Sequence, residues 1–103
     1  MGLKVIYLEI AVQDLRSIYD YIAQDSKKYA QLEVRKIRSF INSLKEYPLK
    51  GRPYNVRKSI QIRSINFRNY IIFYSVTEIR INVLSIHHHS RLTANNPIFK
   101  DVD

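Results

Sequence analysis

Residues 61–91, QIRSINFRNYIIFYSVTEIRINVLSIHHHSR, decide the fold. Three apolar, β-rich runs lie here, at residues 60–65, 70–76 and 79–86, with connections too short for a helix. Successive strands must therefore pair as an antiparallel meander. The middle run, YIIFYSV, is apolar on both parities: Tyr70, Ile72, Tyr74 and Val76 on one face, Ile71 and Phe73 on the other. That pattern predicts a central strand covered on both sides. In the last run Ile79, Ile81 and Val83 alternate with Arg80 and Asn82, then the phase shifts to Leu84 and Ile86. A bulge, or burial of both faces at that end, accounts for the shift. The run leads into a basic cluster at residues 87–91.

On the N-terminal side, residues 3–8 (LKVIYL) read as a first strand. From Ala11 the period becomes helical. Ala11, Leu15, Ile18 and Ile22 form one stripe, with Asp14, Arg16, Asp20 and Gln24 between them. Asp25 and Ser26 break this helix and suit the N-cap of a second. Ala30, Val34, Ile37, Ile41 and Leu44 continue at helical spacing, with Lys27, Lys28, Arg35, Arg38 and Lys45 off the stripe. Pro48 predicts an end near Tyr47. The short connector makes the two helices an antiparallel hairpin.

Pro48, Gly51 and Pro53 mark residues 48–55 as a structured loop. Asn66 and Asn69 bracket the next turn and tolerate left-handed geometry. The connection at Thr77 and Glu78 has no glycine. The expected fold is α+β, in the order β-α-α-β-β-β. Its N-terminal strand and helical hairpin pack on one face of a largely antiparallel sheet.

With 103 residues and 46% hydrophobic content, one domain over 1–103 is expected, with 92–103 as a C-terminal tail. There is no cysteine, which excludes disulfides, thiolate metal sites and cysteine nucleophiles. The N-terminus lacks the pattern of a signal peptide, and no run is long enough to span a bilayer, so a cytoplasmic protein without a membrane partner is expected. The formal charge is +8. Residues 1–49 carry eight Lys/Arg against six Asp/Glu, whereas residues 50–103 carry nine against three. This excess points to a polyanionic partner, nucleic acid or an acidic protein.

The element order, together with local signatures, resembles the RelE/ParE family of bacterial toxins from type II toxin–antitoxin systems. The signatures are Ala11, Asp14, Leu15, Ile18, Tyr21 and Ile22 in the first helix, and Pro48, Gly51, Arg52 and Pro53 in the loop. In the sheet they are Arg63, the run NYIIFY at residues 69–74, and His88 with Arg91. The resemblance covers residues 3–91, and the GRP loop, NYIIFY strand and H-x-x-R ending look more like the ParE branch. It implies a toxin neutralised by a cognate antitoxin, which the basic surface suggests is acidic and partly disordered.

The resemblance leaves two activities open. ParE-like members inhibit DNA gyrase through a protein surface, and here Arg57, Lys58, Arg68 and Arg91 are the basic candidates for contact with gyrase or nucleic acid. RelE-like members cut messenger RNA on the ribosome without a metal. Attack by a 2'-OH needs an acid, a base and cations on the phosphate. His88 could be the acid or base, with Arg63, Arg91 and Lys58 on the phosphate. RelE-like nucleases commonly place a functional tyrosine after the last strand, and here none follows Tyr74. Alternatively, Arg63 could be structural, paired with a carboxylate from a helix. On a strand His87 and His89 share a face and His88 takes the other, so at most two could hold one ion. Neither a metal site nor a cofactor is expected. Tyr70 and Tyr74 are expected in the core.

Overall fold

The computed structural model describes residues 2–54 and 61–89. The chain runs β1 (Lys4–Tyr7), α1 (Glu9–Ala23), α2 (Lys27–Ser43), β2 (Arg52–Tyr54), β3 (Ile62–Phe67), β4 (Tyr70–Val76) and β5 (Arg80–His88). The strands form one sheet in the order β1-β5-β4-β3-β2. Strands β2 to β5 pair antiparallel, as the short connections require, and β1 lies parallel to β5 at the edge, Lys4 beside Arg80 and Tyr7 beside Val83.

Both helices turn their apolar stripes onto one face of the sheet. Ala11, Leu15 and Ile18 of α1 and Ile37 and Ile41 of α2 bury with Tyr70, Ile72, Val83 and Ile86. A smaller cluster of Leu44, Tyr74 and Ile81 continues the core toward the other end of the strands. Stacking of Phe40 on Phe67, centroids 4.5 Å apart, ties α2 to β3. On the opposite face Phe73 is buried with the Tyr54 ring tilted against it at 5.4 Å. Strand β4 is thus central and covered on both sides, and Tyr70 and Tyr74 are core residues. Ser26 caps α2, its hydroxyl accepting the Tyr29 N–H at 3.2 Å.

The phase shift in the last strand is a bulge. Phe73 pairs with Ser85 but Tyr74 pairs with Val83, leaving Leu84 as the extra residue. Val83 and Ile86, three apart, therefore both reach the helix-side core.

Four expectations change. Within the 48–55 loop, Arg52–Tyr54 is a fifth strand, tolerated despite Pro53 because it lies at the sheet edge. Helix α2 stops at Ser43 rather than near Tyr47; the tighter bonds Lys45 N–H to Asn42 O and Glu46 N–H to Ser43 O close its end. Strand β3 extends to Phe67, since only Arg68 and Asn69 separate it from Tyr70. The left-handed residue of that turn is Arg68, with φ 56°, and not an asparagine. No described helix is long and apolar enough to cross a membrane.

Candidate functional site

Arg63 lies on β3 beside Tyr74. Its Nη1 donates to the carbonyls of Gly51 at 2.8 Å and Leu49 at 3.3 Å, so its structural partners are loop carbonyls and not a helix carboxylate. The buried Tyr74 hydroxyl accepts the Gly51 N–H and donates to Pro48 O, both at 2.8 Å. Burial raises the Tyr74 pKa against the opposing effects of the Gly51 N–H and Arg63. The phenol therefore stays protonated and can keep donating. The GRP signature is the point at which β4 and β3 hold the 48–51 loop.

His88 closes the other end of the sheet. It pairs with Tyr70, and the two rings meet edge to face at 5.6 Å. Arg63 and His88 lie on the same sheet face but on opposite sides of β4, beside Tyr74 and Tyr70 respectively. Four residues of strand separate those positions by about 13 Å along the sheet. The structure does not bring this pair together. Arg57, Lys58 and Arg91 lie outside the described residues, as do residues 92–103.

Arg68 projects from the β3–β4 turn to Glu33 of α2, Nη2 to Oε1 at 3.4 Å, so this candidate contact is half exposed and already paired. The strand ends at His88, so His89 does not continue the alternation with His87. Among the described residues no three histidine or carboxylate groups gather as a metal would require.

His87 instead faces Asp14 of α1, Nε2 to Oδ2 at 3.9 Å. The same carboxylate oxygen accepts the Ile86 N–H at 2.9 Å. Burial pushes the Asp14 pKa up, opposed by the Ile86 N–H and by His87.

A second feature was not singled out from the sequence. A cleft of about 760 Å³ opens between β1 and α2, with Val5, Tyr7 and Val34 as apolar lining and Arg35, Arg38 and Lys45 as cations. The Arg38 guanidinium stands 5.0 Å from the Tyr7 ring centroid, a cation–π distance. Burial raises the Tyr7 pKa, partly offset by Arg38. None of the three cations pairs with a carboxylate among the described residues. Exposed Ile6, Leu8, Ile10 and Val12 run along the adjoining edge strand and the start of α1. The sequence signal was the set of cations off the α2 stripe. It was masked by the larger charge excess in the second half of the chain.

A family model described as ParE toxin of type II toxin–antitoxin system, parDE, matches residues 5–93. A curated relative, Toxin RelE2 of Caulobacter vibrioides, is 31% identical over 91 residues, covering 86% of this chain and 98% of its own. Among solved structures, the chromosomal ParDE system of P. aeruginosa superposes with a TM-score of 0.66 at 20% identity, covering 84% of this chain and 95% of its own. The toxin–antitoxin complex RelBE2 of Mycobacterium tuberculosis gives 0.64 at 18% identity, covering 85% and 99%. These two structures bear on the fold, and the family match and curated relative on descent. The chain belongs to the ParE toxin family of type II toxin–antitoxin systems, within the RelE/ParE superfamily.

Proposed function

We propose that this protein is a toxin that inhibits DNA gyrase through a surface contact and is neutralised by a cognate antitoxin. The observation that carries the reading is the separation of Arg63 from His88. The first is engaged by the carbonyls of Gly51 and Leu49 and the second lies against Tyr70, at opposite ends of β4. General acid–base cleavage of RNA needs such groups to converge on one phosphate. A surface inhibitor needs no convergence. The match to the ParE toxin model supports the same branch.

For the antitoxin, the cleft between β1 and α2 has suitable chemistry. Its apolar floor and its cations, which pair with no carboxylate among the described residues, fit an acidic, amphipathic segment that orders on binding. The solved ParDE and RelBE2 systems are toxin–antitoxin pairs, which supports a partner of this kind.

The test is a supercoiling and DNA-cleavage assay with purified gyrase and the folded, antitoxin-free protein. Inhibition with trapped cleaved DNA is the expected result. No effect at large molar excess overturns it and favours messenger RNA cleavage on translating ribosomes. Similarity to Toxin RelE2 speaks for that second reading. His88, Arg63 and Arg91 are then the residues to replace.

A further inference from the structure

Strand β5 is bordered by β1 only as far as Val83, where the Leu8 N–H donates to the Val83 carbonyl before the chain turns into α1. Beyond that point no strand among the described residues covers this edge of β5, yet Ile86 is almost fully buried. A buried backbone N–H without a partner is strongly disfavoured. Asp14 supplies the partner from α1, across 72 positions of sequence, at 2.9 Å. Its carboxylate also stands 3.9 Å from His87 Nε2, a buried nitrogen without a hydrogen bond among the described residues. One carboxylate thus meets both the backbone and the side chain of consecutive residues at the end of β5.

We propose that Asp14 is a positioning residue, a clasp that fixes the histidine-bearing end of β5 against α1 so that this end can act on the toxin's target. The inference rests on the reading of the chain as a growth-inhibiting toxin, but not on which target it has. A desolvated carboxylate is a costly way to satisfy one N–H. Holding a functional end in place is a reason to keep it there. The bulge at Leu84 adds to the need, because it disturbs the ladder two residues before Ile86.

The test compares wild type, Asp14→Ala and Asp14→Asn in the full chain, with two readouts. The first is hydrogen exchange at the Ile86 amide, with Ile81 and Val83 as references. The second is growth arrest on expression. In Asp14→Ala the Ile86 amide should exchange at least about tenfold faster while the references hold. Potency in growth arrest should fall. Asp14→Asn keeps an acceptor oxygen and should retain Ile86 protection and most of the potency. If Asp14→Ala does not fold, Asp14→Glu, which displaces the carboxylate by one methylene, is read in the same way. Unchanged Ile86 exchange in the acceptor-deficient or displaced variant overturns the clasp. A loosened Ile86 with full potency overturns its positioning role. A wild type that arrests growth but spares gyrase would mark failure of the gyrase reading instead.

Discussion

Tyr74 and Gly51 are joined by a buried 2.8 Å hydrogen bond that leaves no room for a side chain at position 51. A Cβ placed there would lie 2.6 Å from the Tyr74 hydroxyl and 2.9 Å from the Ser64 carbonyl oxygen. The second neighbour is backbone of β3 and cannot rotate away. Gly51→Ala should therefore lose about 1–3 kcal/mol, measured by urea unfolding. Adding Tyr74→Phe should relieve only part of the clash, because the Ser64 oxygen stays.

Tyr74→Phe alone strands the Gly51 N–H and frees the Pro48 carbonyl. A loss of about 1–3 kcal/mol is expected for the buried donor. Arg63→Lys gives up the fixed Nη1 that donates to two loop carbonyls and should cost less, about 0.5–1.5 kcal/mol. Thermal melts of the two variants and their double mutant should show coupling, since both side chains meet at residues 48–51.

At Arg68 the backbone lies in the left-handed region, with φ 56°. A β-branched residue is strained there, so Arg68→Val should lose roughly 1–2 kcal/mol. Arg68→Asn should stay within about 0.5 kcal/mol of wild type, because asparagine tolerates this geometry and the exposed pair with Glu33 contributes little. Equal losses in both would show that the ion pair, and not the turn, governs this position.

The pH dependence at Asp14 has a definite sign. Its native pKa is raised above 3.8, chiefly by burial, so between 3.8 and the native value the folded state holds a proton that the unfolded chain has released. The stability this group contributes is full below 3.8 and is lost as pH rises through the native value. Asp14→Asn removes that loss. Denaturant midpoints taken below, within and above the window should show the variant gaining on wild type as pH rises, then levelling.

Reversing charge in the β1–α2 cleft tests the antitoxin surface. Arg35→Glu with Arg38→Glu should weaken antitoxin binding by tenfold or more, on the order of 1.4 kcal/mol, while leaving the melting temperature nearly unchanged. The wild-type affinity should fall with added salt, and the double variant should depend on salt less steeply.

The elements themselves were legible because periodicity reports each residue's own surroundings. The α1 and α2 stripes, the central YIIFYSV strand and the phase shift at Leu84 all follow from which positions avoid water. Local chemistry also marked the Ser26 cap and the 48–55 breakers. Partners distant in sequence left no such imprint. Pro53 reads as a loop residue until an edge position removes the need for its missing N–H. Asp14 reads as a solvated helix residue until β1 ends short and leaves Ile86 to it. Apart from β2, the element types and the apolar faces could be read from the chain's own periodicity, since periodicity reports burial. That β1 lies against β5, that Asp14 accepts the Ile86 N–H and that Arg63 and His88 stand apart emerge only once the chain is packed. Hydrogen bonds and charges act over a few ångströms, and chain crossings set those distances.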